Sequence, residues 1–163
     1  MTDCRFCPQC GAALGVRNEG GLARPACTSA DCGFVLWDNP VPVVAALVES
    51  EGRVVLARNV AWPEKHFGLI TGYLERDETP EAAVVREVAE ELGLAAQSAT
   101  LIGLYNFAAK NQLLIAYHVL ASGRIVLNEE LAEFKLIEPA SLKAWEFGTG
   151  LAVRDWLANR SAQ

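Results

Sequence analysis

The chain has 163 residues, of which 52% are hydrophobic and 21% charged, with a formal net charge of −6. That length suits about one domain with a small appendage, and the apolar fraction is enough to bury a sizeable core. The acidic balance weighs against nucleic acid as a partner, since non-specific binding wants basic patches; such a protein would need cations to handle anionic phosphates.

The chain opens "MTDCRFCPQCGAALG", polar and cysteine-rich, without the apolar stretch of a secretory leader. "VPVVAALVES" is strand-length and Glu49 interrupts its apolar run, so no run is long enough to cross a bilayer. The expected compartment is the cytoplasm, with no membrane partner. All five cysteines lie within the first 32 residues. An odd, clustered set in a reducing compartment favours metal over disulfides.

Residues 1–39 form the first expected domain, a zinc ribbon. "CPQCG" supplies Cys7 and Cys10, and "CTSADC" supplies Cys27 and Cys32. So short a segment cannot bury enough surface to fold alone, and four thiolates from two such turns suit tetrahedral Zn2+. Cys4, three residues before Cys7, is the natural substitute ligand. With no His or carboxylate to complete an open site, the zinc would be structural.

"WDNPVP" breaks regular structure at Pro40 and Pro42, and the second domain is expected over residues 40–163. "VVAALVES" and "RVVLARN" predict two strands joined by the turn "SEGR". The loop "VAWPEKHFG" and the short run "LITGYLE" precede a helix. "ATLIGLYNFA" and "LLIAYHVLA" predict two further strands, connected through "AKNQ". "GRIVLN" and "EFKLIEP" read as short strands, and "PASLKAW" and "LAVRDWLANR" as helices. The expected class is α+β, a mixed sheet with helices on both faces.

The central helix has a clear frame: Thr79 as N-cap, Pro80 at its first position and Gly93 as its stop. At 100° per residue, Ala82, Val85, Ala89 and Leu92 predict the packed stripe, with Glu87, Glu90 and Glu91 on the opposite side. Like charges three or four residues apart repel, and only Arg86 lies nearby to offset them. Clustered hard oxygen donors of this kind are what Mg2+ or Mn2+ requires.

Residues 72–94 resemble the Nudix signature, G-x5-E-x7-R-E-U-x-E-E-x-G-U with U aliphatic, through Gly72, Glu78, Arg86, Glu87, Val88, Glu90, Glu91, Gly93 and Leu94. A cysteine ribbon joined by "NP" to such a box is similar to the NADH pyrophosphatase and FAD/ADP-ribose pyrophosphatase branches of that family. The resemblance implies an α/β/α sandwich and Mg2+- or Mn2+-dependent hydrolysis of a dinucleotide or other nucleoside diphosphate derivative. It implies that Glu87, Glu90 and Glu91 hold the metals, that Arg86 pairs with Glu78, and that Gly72 permits a tight turn beside the phosphates. Glu91 is the first choice for the carboxylate touching the attacking water, with Glu90 its rival. A further metal carboxylate is expected from "NEELAEFKL", where Glu129, Glu130 and Glu133 are available; alignment of "EEL" favours Glu130. By similarity to relatives, the chain is expected to form a homodimer.

Substrate choice is less legible. The S-Q-P-W-P-F-P-x-S stretch of NADH pyrophosphatases is absent from "LYNFAAKNQLLIAYHV", which points away from NADH specificity, and "FGLITG" replaces the commoner W-x-L-P-x-G. Phe67, Tyr105, Phe107 and Trp37 are candidates to stack on a base, although aromatics are large hydrophobes first. His118 reads as a core histidine, whereas His66 is open between a loop and a catalytic role. "FGTG" reads as a capping turn before the last helix rather than a phosphate cradle. The competing function is a catalytically weak nucleotide sensor whose zinc ribbon makes protein contacts.

Overall fold

Gly20 and Gly21, with φ of 62° and 82°, turn the chain between β1 (Leu14–Glu19) and β2 (Leu22–Cys27), an antiparallel hairpin that the sequence reading did not anticipate. In this computed structural model, which describes residues 4–161, the hairpin belongs to an N-terminal unit, residues 1–39; residues 40–163 form a second. Arg24 Cζ stands 5.0 Å over the Trp37 ring within the first unit, so that ring already has a partner.

The second unit is built around β3 (Val41–Ser50), which is buried from Val43 to Ser50. Its run of β-branched and small residues reflects burial on both faces. Val44, Ala46 and Val48 enter one core, while Leu47 and Ala45 enter two separate clusters that also hold residues of the C-terminal helix. β3 pairs antiparallel with β4 (Arg53–Asn59) through the expected tight turn, and with β5 (Ile70–Tyr73). It pairs in parallel with β7 (Gln112–Ser122), which in turn pairs antiparallel with β6 (Ala95–Phe107). β8 (Leu131–Ile137) closes the far side against β4, so the sheet is mixed, in the order β6-β7-β3-β4-β8. Helix α1 (Pro80–Leu92) packs on one face through Val84, Val88 and Leu92. Helix α2 (Gly150–Ser161) covers the other through Val153 and Trp156. The expected α/β/α sandwich is the observed architecture.

Three local expectations require correction. The packed stripe of α1 is Ala83, Val84, Val88 and Leu92; Ala82, Val85 and Ala89 are exposed. The i, i+4 row Val84–Val88–Leu92 offers more apolar volume than one containing two alanines, so the helix lies rotated by about 80° from the expected setting. "GRIVLN" is not a strand: the Val126 and Asn128 N–H groups donate to Leu92 O and Glu91 O, closing the end of α1 instead of a sheet edge. "PASLKAW" is not a helix. Only a 3-10 turn forms, Pro139–Ser141, after which the extended backbone at Leu142 (ψ 130°) sends that side chain into the α2-side core.

His118, expected to be a satisfied core histidine, lies within 2.9 Å of Glu49 Oε2 through Nε2. The described residues contain no helix long and apolar enough to cross a membrane.

Candidate functional site

The rotation of α1 decides where its acids point. Glu87 and Glu91 lie beside the buried row rather than opposite it, and together with Glu90 they line a cavity of about 840 Å3. Thr79 starts the helix, its side chain accepting the Ala82 N–H, and Gly93 ends it with φ of 66°. Glu130 reaches the same cavity from the turn before β8, where its own N–H donates to Asn128 Oδ1 and its carbonyl accepts the Val60 N–H. Of the three downstream candidates, Glu130 alone lines the cavity; Glu133 is paired with Arg58 at 2.7 Å.

Arg86 organises the rest. Its guanidinium donates from Nε and Nη2 to both Glu78 carboxylate oxygens (2.9 and 3.0 Å), and from Nη1 to Glu87 Oε1 (2.7 Å) and Glu90 Oε2 (2.9 Å). Nη2 also donates to the Tyr73 carbonyl, tying helix to strand β5. The Arg86–Glu78 pairing implied by the family resemblance is therefore present. It holds the Glu78 carboxyl below the usual carboxylate range, aided by the Glu75 N–H.

Glu91 is different. It is only 7% exposed, yet its carboxylate has no hydrogen-bond or ion-pair partner among the described residues. Burial, and after it the charges of Glu87, Glu130 and Glu90, push its pKa up to about 8. Burial likewise raises Glu87 and outweighs the opposing effect of Arg86. Four carboxylates against one guanidinium leave the wall short of positive charge, and hard oxygen donors suit Mg2+ or Mn2+. The residues present fit such an ion.

Gly72 does not serve as a tight turn. It sits within β5, opposite Val44, and a Cβ there would overlap the Glu87 carboxylate. The absent side chain makes room for Glu87 against the strand backbone. Tyr105 is also corrected: it does not line the cavity, because its hydroxyl donates to Asp155 Oδ2 at 2.9 Å on the α2 side. Burial, then Asp155, holds that phenol up at about 12, so it remains a donor. Phe67, Phe107 and His66 do line the cavity.

Trp62, Lys65, Lys110, Trp145 and Phe147 line it as well, and the sequence reading assigned none of them to a site. Lys110 lay in a connection read as a linker, and Phe147 in the "FGTG" turn. The Gly150 N–H of that turn and the Leu151 N–H after it donate to Phe147 O and Gly148 O, so these two amides are engaged in starting the helix.

Within the N-terminal unit, the sulfurs of Cys7, Cys10, Cys27 and Cys32 all lie within 4.8 Å of one another. Cys7–Cys32 and Cys10–Cys27 are 3.7 and 3.5 Å apart, close to the ~3.8 Å edge of a tetrahedron with about 2.3 Å Zn–S bonds. Burial would raise the Cys7 thiol, but the Cys10 and Gln9 N–H groups and the Cys32 sulfur bring it down to about 7. At Cys27 the Ser29 N–H acts downward, yet burial and the neighbouring thiols push it up to about 12. A cation among the four sulfurs would be needed to hold all of them as thiolates, and the set fits Zn2+. Cys4 is exposed, its thiol donating to Phe6 O, outside the cluster.

A family model described as "NUDIX domain" matches residues 38–155. Among curated proteins, an NAD-capped RNA hydrolase NudC of Mycobacterium tuberculosis is 33% identical over 118 residues, 71% of this chain and 36% of that protein. A protein of the same name from Pseudomonas aeruginosa is 28% identical over 130 residues, 79% of this chain and 45% of its own. The chain thus spans less than half the length of these relatives. A crystallised NUDIX hydrolase from Nitrosomonas europaea superposes with a TM-score of 0.79 at 21% identity, covering 98% of this chain and 93% of its own.

Proposed function

The chain belongs to the Nudix family, and from that premise we propose that it is a Mg2+- or Mn2+-dependent pyrophosphohydrolase. Its substrate would be a nucleoside diphosphate linked to a second moiety, of the NADH, FAD or ADP-ribose type. The observation that carries this reading is the convergence of Glu87, Glu90, Glu91 and Glu130 on one cavity wall, with Glu91 buried and unpaired. The names of the NudC relatives, which refer to NAD-capped RNA, support an NAD-like diphosphate among the substrates.

Glu87, Glu90, Glu91 and Glu130 would hold the ions. A divalent cation held there would supply positive charge for the diphosphate and make a bound water more acidic, which in-line displacement at phosphorus requires. Arg86 keeps the carboxylates aimed: it fixes Glu87 and Glu90 while Glu78 anchors it to the loop before α1. Glu90 is about half exposed and committed to Arg86, whereas Glu91 has no such commitment. Glu91 is therefore the carboxylate available to accept a proton from the attacking water. The absent S-Q-P-W-P-F-P-x-S stretch argues that NADH is not the preferred member of the class. The cluster of four sulfurs would hold a structural Zn2+.

The test is a hydrolysis screen over NADH, NAD+, FAD, ADP-ribose, dinucleoside polyphosphates and nucleoside triphosphates, with Mg2+ and with Mn2+, identifying products. A nucleoside monophosphate released from a diphosphate-linked substrate is expected. Tight binding of these compounds with no turnover under any metal would favour the sensor reading instead.

A further inference from the structure

The carboxylates account for only part of the cavity. Part of its remaining wall comes from the end of β6 and the connection after it and from residues 145–149 ahead of α2, and this part carries Phe107, Trp145 and Phe147. Phe147 is 62% exposed inside this concavity. A large ring left to water in a pocket is a surface that a flat ligand can cover.

The rings are held in place. A Cβ at Gly148 (φ +53°) would lie 3.5 Å from Phe107 Cε1, so this turn lies beside that ring. The Trp145 carbonyl and indole fill the space over Gly150, where no side chain would fit. Beside them stands a cation: Lys110 Nζ is 5.9 Å from the centre of the Phe107 ring. Lys110 lines the same cavity, and among the described residues it has no carboxylate partner.

We propose that Phe107 and Phe147 receive the base of the substrate's nucleotide, and that Lys110 binds a phosphate carried on that nucleotide's ribose. The substrate class narrows to nucleoside diphosphate derivatives bearing a 2′- or 3′-phosphate. Stacking on aromatic faces is tolerant of base identity, while an ammonium at the rim selects for the added anion. This assignment rests on the pyrophosphohydrolase reading of the cavity, but it is testable without catalysis.

Trp62 and Trp145 line the cavity and serve as intrinsic reporters. The full chain, without added divalent cation, is titrated with adenosine 5′-monophosphate, adenosine 3′,5′-bisphosphate and ribose 5-phosphate while tryptophan fluorescence is followed. The bisphosphate should bind about tenfold tighter than the monophosphate, and ribose 5-phosphate weakest. Phe147→Ala and Phe107→Ala should each weaken both adenosine ligands about tenfold. Lys110→Met should abolish the advantage of the bisphosphate and leave the monophosphate unchanged. Equal binding of the two adenosine ligands by the unaltered chain, or full affinity in both phenylalanine variants, overturns the assignment. Intact discrimination in a chain that hydrolyses nothing would instead count against the catalytic reading.

Discussion

Gly72 and Glu87 compete for one volume: a Cβ on Gly72 would overlap Oε1 and Cδ of Glu87. The glycine is required by the carboxylate's close approach to β5, not by a turn. Gly72→Ala should therefore displace Glu87, lengthen its 2.7 Å contact with Arg86 and disturb the ion site. Turnover should fall about a hundredfold, as expected for an ångström-scale misplacement. The flexible glutamate can swing into the cavity, so the thermal midpoint should change little. Unchanged kcat in Gly72→Ala, measured at saturating Mg2+, would remove the argument.

Glu91 predicts a pH signature of folding. Its pKa is raised from 4.5 to about 8 in the folded chain. A carboxyl raised on folding stabilises the fold below its unfolded value, and that contribution is lost as pH rises toward the folded one. Without divalent cations, stability should decline between pH 4.5 and about 8. Glu91→Gln should flatten that limb, and Mg2+ should restore stability to the parent chain but much less to the variant. The same substitution should cut turnover by orders of magnitude, since the cavity loses its unpaired buried carboxylate. Chemical denaturation across this pH range, with and without Mg2+, reads the first effect. Parallel profiles for the two proteins would refute it.

What was legible in the sequence follows a physical division. Spacing along one helix is local, so Thr79, Gly93, Arg86 and the three glutamates of α1 could be read directly, as could the four clustered cysteines. The rotation of α1 could not, because Ala82–Val85–Ala89 and Val84–Val88–Leu92 both satisfy helical periodicity, and only packing on the sheet chooses between them. Phe147 and Lys110 reach the cavity from connections whose composition resembles ordinary loops, and Trp145 from a segment that reads as a helix; only the fold brings them together. Tyr105 failed as a candidate for a related reason. Neighbouring side chains of β6 face opposite layers, and its ring went to α2 and Asp155.

The cysteine cluster makes a prediction about composition and order. Four sulfurs within 4.8 Å of one another should retain about one Zn2+ per chain after gentle purification. Elemental analysis giving fewer than about 0.5 per chain would reject the site. Cys27→Ser, which alters a buried ligand, should release the metal and the order of the β1–β2 hairpin; Cys4→Ser should keep both. Amide exchange over residues 14–27 distinguishes the two variants.

Glu49 predicts the opposite pH dependence from Glu91. Burial would raise its carboxyl, but hydrogen bonds from Arg160 and with His118 outweigh that and hold it below 4.5. Arg160 donates to both oxygens, at 2.9 and 3.2 Å, which fastens the last turn of α2 to the end of β3. A carboxyl lowered on folding stabilises above its unfolded value, and the contribution disappears as pH falls through the folded one. Glu49→Gln should therefore cost about 1–2 kcal/mol near pH 7, discounted because Arg160 is nearly half exposed. The difference between variant and parent should close once pH falls below the lowered folded value, when both carry an uncharged group at that position. Since α2 begins at the segment that presents Phe147 to the cavity, loosening its far end should raise KM more than it lowers kcat. A variant whose deficit persists unchanged into acid would show that packing against Trp156, not charge, is what holds the helix.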